Sequence, residues 1–122
     1  LRNLQPILGE KTMEYFVKNA TPELQKPEPG IERKIMAYCD KLMVCELKFV
    51  RGTTSKVHKH PHEQITYVVS GALKFNVGGQ EQIVRTGDAV YMPANVIHGV
   101  LEALEDSVIV DTFAPKRDDF LE

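Results

Sequence analysis

The chain has no run of lysine or arginine. Its 15 basic and 17 acidic residues leave a formal net charge of -2 and an isoelectric point near 6.1. That balance gives no electrostatic footprint for nucleic acid or for an anionic membrane surface, while a small neutral or anionic ligand stays open. Long apolar runs are missing too, since none approaches the roughly 20 residues that span a bilayer. The N-terminus carries no basic region followed by an apolar stretch. The expectation is a chain with neither anchor nor export signal that works in the cytoplasm. Long helical periodicity, internal repeats and low-complexity segments are also absent. Cysteine is scarce, with Cys39 and Cys45 alone. They flank the turn-like pair Asp40-Lys41, so a two-residue hairpin pairs Cys39 with Leu42 and Cys45 with Met36. That register offers no disulfide, and both thiols read as buried structural cysteines in a reducing compartment.

What is present is a grammar of short strands. The 122 residues, 43% hydrophobic and 26% charged, suffice for one globular domain with a single core. Ile31 to Cys39 and Leu42 to Val50 alternate, which predicts inward rows of Ile31, Ile35, Ala37 and of Met43, Cys45, Leu47, Phe49, with Glu46 and Lys48 facing outward. Leu73, Phe75 and Val77 alternate with Lys74 and Asn76, and Gly78-Gly79 turns the chain into a strand from Gln80 to Arg85. Further runs cover Ala89 to Met92, His98 to Ala103 and Ser107 to Phe113. Connections this short argue an all-β sandwich or barrel. Residues 1 to 30 differ, because Pro6, Pro22, Pro27 and Pro29 break any long element. They read as an arm with a short strand at Tyr15 to Val17 and a helical turn at Thr21-Pro22-Glu23, laid against a domain of residues 31 to 122 or against a neighbouring subunit. An arm without its own core, next to open sheet edges, predicts a homodimer.

The chemistry concentrates in Gly52 to Gly71, which packs three histidines and a glutamine into seven positions. His58 and His60 lie two apart in strand-compatible sequence, so both imidazoles leave the same face. Pro61 forces a turn or jog, and Gln64 then opens a second strand, Ile65 to Ser70, which brings it back to the same site. A second segment, GDAVYMPANVIHG, offers His98 from a distant strand. Three neutral imidazoles and a carboxamide oxygen suit a divalent transition metal such as Zn, Ni, Fe, Co or Mn. No ligand of this set is anionic, so the full double positive charge stays on the centre and makes it a strong Lewis acid. His62 reads as a solvated or hydrogen-bonding side chain, and Glu63 as surface.

These segments resemble the two motifs of the cupin family. The first family pattern is Gly, five residues, His-x-His, three residues, Glu, six residues, Gly, and here Gly52, His58, His60, Gln64 and Gly71 stand at those intervals. The second is Gly, five residues, Pro-x-Gly, two residues, His, three residues, Asn, matched by Gly87, Pro93, Asn95, His98 and Glu102. Gln64 replaces the glutamate, Asn95 a glycine and Glu102 the asparagine. Asn95 still permits the tight turn, because asparagine tolerates positive φ. The resemblance implies a double-stranded β-helix, the cupin jelly-roll barrel.

The last segment, DTFAPKRDDFL, puts Asp111 and Phe113 on one strand face, with Pro115 ending the strand before Arg117. The residues alone allow two readings: a pocket lined by a carboxylate, an aromatic wall and a guanidinium, or an ordinary strand end with a solvated tail. Together with HKHPHEQITYVVSG this segment is similar to the KdgF type of small cupins, over about Gly30 to Leu121. That resemblance implies a metal-dependent enzyme that converts 4,5-unsaturated monouronates, released from pectin or alginate, into linear 4-deoxy-5-keto uronate. It implies His58, His60, Gln64 and His98 as metal ligands, and Asp111, Phe113 and Arg117 as active-site residues. Asp111 would then move protons, and Arg117 would pair with the carboxylate of an anionic sugar. An oxygenase, an isomerase or cyclase on another small molecule, and a non-catalytic sugar-binding module are the competing readings. Gln64 weighs against the oxygenase, because an amide cannot serve as the base that a ligand glutamate can.

Overall fold

The computed structural model describes residues 15–122. Nine strands follow in the order β1 (Gln25–Glu28), β2 (Ile31–Tyr38), β3 (Met43–Phe49), β4 (Glu63–Ser70), β5 (Ala72–Val77), β6 (Gln80–Arg85), β7 (Ala89–Met92), β8 (His98–Ala103) and β9 (Ser107–Ala114). A single 3-10 turn, Asp118–Leu121, comes after them. The strands form an antiparallel sheet ordered β1-β2-β3-β9-β4-β7 and a second ordered β6-β5-β8. The fold is all-β, with the two antiparallel sheets of the expected double-stranded β-helix.

Local chemistry explains where the strands turn. Val77 pairs with Gln80 across Gly78-Gly79, whose φ values of 59° and 89° belong to the left-handed pair that a two-residue hairpin needs. Asn95 has φ 64°, and its N–H donates to the His60 carbonyl at 2.8 Å. The tight turn after Pro93 is thereby pinned to the histidine segment.

Alternation sets the core, with one interruption. β3 buries Met43, Cys45, Leu47 and Phe49 as its period predicts. In β2 the register slips between Ile35 and Tyr38, so Ile35 faces Cys45 and Tyr38 faces Met43. This bulge moves Tyr38 into the core and leaves Ala37 half-buried. It also overturns the expected pairing of Cys45 with Met36. The turn itself stands, since the Cys39 N–H donates to the Leu42 carbonyl at 2.8 Å. Cys39 is exposed rather than buried, because it caps that turn, whereas Cys45 is fully buried; both are free thiols.

Residues before β1 differ from the sequence expectation. Tyr15 to Val17 are irregular, with Tyr15 and Phe16 exposed, and Thr21 and Pro22 form a bend without a helical turn. The strand lies instead at Gln25–Glu28, paired with β2. It accommodates Pro27 because an edge strand needs no ladder donor on its open side. Whatever the arm does before residue 15 lies outside the described residues. No helix among the described residues is long and apolar enough to cross a membrane.

Facing positions of the large sheet stack in layers that run into the barrel. Met43, Phe113, Gln64 and Met92 pair successively across β3, β9, β4 and β7. Cys45, Asp111 and Thr66 make the next layer, and Leu47, Ile109 and Val68 the one beyond. Polar groups therefore occupy one end of the barrel and aliphatic ones fill the rest.

Candidate metal centre and active-site cavity

His58 and His60 come from an extended segment rather than a regular strand. It runs along β8 of the small sheet, where the Ser55 N–H donates to the Val100 carbonyl at 2.9 Å, and it ends in a bridge with the His58 N–H donating to the His98 carbonyl at 2.9 Å and the His98 N–H donating back at 2.8 Å. Gly99 permits this approach: a Cβ there would stand 3.0 Å from the Val57 Cα. The result is a triad of His58, His60 and His98 with ligand atoms all within 4.8 Å of one another. His60 and His98 are buried and His58 is exposed.

Each ring is oriented by a main-chain carbonyl. Nδ1 of His58 meets the Lys56 oxygen at 2.7 Å, Nδ1 of His60 the His62 oxygen at 2.9 Å, and Nδ1 of His98 the Val96 oxygen at 3.0 Å. A neutral imidazole has one N–H, and that bond places it on Nδ1. All three Nε2 lone pairs then converge. Nε2 of His98 is buried without a hydrogen-bond partner. Nε2 of His60 lies 3.0 Å from Oε1 of Gln64, so two acceptors face each other. A cation between them resolves both observations, and the donor set fits a divalent transition metal. Burial, then the Arg117 charge, pushes the His60 pKa down to about 4, and burial lowers that of His98. Both shifts favour the neutral, ligating form of these two buried rings.

Gln64 is held in turn. Its Nε2 donates to Thr66 Oγ1 at 3.1 Å, and that hydroxyl donates to Asp111 Oδ1 at 2.5 Å. This chain of bonds aims the amide oxygen at the histidines and links the centre to a buried carboxyl. Burial raises the Asp111 pKa to about 6 against the lowering by Thr66, Gln64, Arg117 and Arg33. Thr66, fully buried, was not among the residues expected at the site, although its place two residues after Gln64 on the same strand face was available as a signal.

Asp111, Phe113 and Arg117 come together at a cavity of about 140 Å³ that also reaches His58, His98 and Gln64. This is smaller than the roughly 300 Å³ at which drug-sized pockets begin. Phe113 is a wall, edge-on to His60 at 5.9 Å and to Phe120 at 5.5 Å. Arg117 is buried, not solvated. Its Nε and Nη2 donate to the two carboxylate oxygens of Asp119 at 3.0 and 2.8 Å, and its guanidinium lies 4.1 Å from the Phe120 ring centre. Arg33 was also missed: it lines the cavity from the inward face of β2, between the buried Ile31 and Ile35. His62 is half-buried, its carbonyl holding His60, and Glu63 is exposed and accepts from the Tyr91 hydroxyl at 2.8 Å.

Residues 46–112 match the sequence profile of the cupin domain. The chain belongs to the cupin family. This cupin is 42% identical over 108 residues to the pectin degradation protein KdgF of Dickeya dadantii (strain 3937), covering 88% of this chain and 97% of that one. The solved structure of KdgF from Halomonas sp. superposes with a TM-score of 0.82 at 38% identity, over 88% of this chain and 99% of that chain. An RmlC-like cupin from Shewanella frigidimarina NCIMB 400 gives a TM-score of 0.83 at 32% identity, over 88% and 96%.

Two outcomes follow from the geometry of this cupin. His98→Ala should lose stoichiometric divalent metal at neutral pH, because it removes the donor that arrives from β8; elemental analysis showing full occupancy would refute the ligand set. Asp111 has a folded pKa above its ordinary 3.8, so its contribution to stability is fully present below that value and lost as pH rises through about 6. In metal-free protein, Asp111→Asn should therefore gain stability relative to wild type between about pH 4 and 6, by on the order of 2–3 kcal/mol, and level off above. Urea midpoints across that range check it, and a pH-independent difference would contradict the shift.

Proposed function

We propose that this cupin is a metal-dependent, non-redox enzyme that opens the ring of 4,5-unsaturated uronates derived from pectin or alginate, yielding linear 4-deoxy-5-keto uronate. Its relatives support pectin degradation as the setting. The observation that carries the reaction is one cavity in which convergent imidazoles are wired through Gln64 and Thr66 to a buried carboxyl near neutrality.

Ring opening is an isomerisation with two proton movements. The anomeric hydroxyl loses a proton as the C1–O5 bond breaks, the oxygen left on C5 carries enolate charge, and C4 then gains a proton. His58, His60, Gln64 and His98 would hold a divalent metal, which would supply Lewis acidity to stabilise that charge. Asp111 takes up the first proton and returns one to C4; a carboxyl with a pKa of about 6 can hold or release it near neutral pH. Thr66 fixes one Asp111 oxygen, which orients the carboxyl. Phe113 excludes water from the enolate, and Arg117 keeps Phe113 and Phe120 in place while adding positive charge to the wall. Substrate, metal and chain suffice, with no oxidant.

We also place the enzyme in the cytoplasm as a homodimer. The free thiols suit a reducing compartment, and the open edges of β1 and β7 suit cover by a second copy. Light scattering at micromolar concentration should give the mass of two chains, and a monomer would refute the dimer. For the chemistry, Asp111→Asn should retain metal and most substrate affinity yet lose about 10²- to 10⁴-fold in turnover of 4,5-unsaturated galacturonate. Unchanged turnover would remove Asp111 from the proton path.

A further inference from the structure

Arg33 occupies an inward position on β2 in a row that is otherwise aliphatic, and a guanidinium there loses hydration that aliphatic neighbours do not replace. Burial lowers its pKa, as does the Arg117 charge. Its Nε donates to Gln25 Oε1 at 2.8 Å, and its guanidinium carbon sits 3.5 Å from the centre of the Phe120 ring. Arg33 and Arg117 thus both stack on the same phenyl ring at the cavity wall.

The two guanidiniums are not equivalent. Arg117 has one edge, Nε with Nη2, committed to Asp119. Among the described residues Arg33 makes no ion pair within 4.0 Å, and only its Nε is hydrogen-bonded. The other carboxylates near the cavity are engaged elsewhere: Glu28 accepts from the Lys56 N–H at 3.2 Å, and Asp111 accepts from Thr66. Arg33 is therefore the guanidinium at this wall whose Nη atoms no carboxylate of the described residues pairs, and a ligand carboxylate would give both of them acceptors.

We propose that Arg33 is the residue that binds the substrate carboxylate, with the Arg117 fork reserved for the C-terminal segment. This rests on the uronate reading and adds the determinant of its specificity for an acid over a neutral sugar. Gln25 is then a positioning residue, since it holds the Arg33 stem while its own Nε2 donates to the Phe120 carbonyl at 3.2 Å.

Calorimetric titration of the metal-loaded protein with galacturonate and with its methyl ester tests the proposal without relying on turnover. Wild type should prefer the acid. Arg33→Met should weaken the acid by about 10- to 100-fold, the range of a charge-assisted hydrogen-bond pair, and leave the ester within about twofold at unchanged metal content. Arg33→Lys, which keeps charge and stem, should retain the preference at reduced affinity and guards against a folding defect. An Arg33→Met protein that still prefers the acid as wild type does would overturn the Arg33 assignment alone. A wild type that binds neither compound and does not turn over the unsaturated uronate would overturn the uronate reading and the assignment with it.

Discussion

The pairing of β4 with β9 is the constraint on which the site depends. It sets Gln64 opposite Phe113 and Thr66 opposite Asp111, with all four side chains turned inward and buried. A slip of one residue would send this set to the outer face and bring Ile65, Tyr67 and Thr112 inside. The aliphatic layers beyond, from Leu47, Ile109 and Val68, make that slip costly, because the same shift would expose them. Apolar packing thus holds a register whose chemical value lies in the neighbouring layers.

A buried polar set of this kind is stable only when its members satisfy one another. Here the direction of donation is fixed throughout: carbonyls take the imidazole N–H groups, the Gln64 amide donates to Thr66, and Thr66 donates to Asp111. Of the two buried side-chain nitrogens without partners among the described residues, Nδ1 of His62 lies outside the cluster, while Nε2 of His98 converges with the facing His60 and Gln64 acceptors. The barrel's polar end has the donor arrangement of a cation site, and the Asp111 carboxyl is held one hydroxyl away from the glutamine of that cluster.

Much of this was legible in the sequence for local reasons. Histidines two apart, a glutamine after a proline jog and a distant histidine are positional signals, and two glycines or an asparagine at a turn report directly on φ. The inward rows of β3 follow from alternation alone. The failures have equally physical causes. A bulge in β2 changes the phase of alternation without any residue type to mark it, which misplaced Ala37, Tyr38 and the partner of Cys45. Pro27 looked like a break because nothing in the sequence tells an edge strand from a central one. Thr66 and Arg33 went unnoticed because a threonine in a strand is commonplace, and because an inward row was assumed to skip a charged residue. The burial of Arg117 depends on Phe113, Phe120 and Asp119 meeting it in space.

The exposed Cys39 and buried Cys45 give the molecule an intrinsic handle for spectroscopy. Burial, together with the Asp111 charge, pushes the Cys45 thiol up to about 12, so a thiol-reactive dye or spin label added at neutral pH has one accessible target among the described residues. Cys39 adjoins Asp40, whose carbonyl accepts from the Lys116 N–H at 3.4 Å and whose carboxylate lies 3.4 Å from the Lys116 ammonium. Lys116 immediately precedes Arg117. A reporter on the native cysteine would therefore sit beside the strand exit that carries the cavity wall, and could follow ligand entry in the unmutated protein.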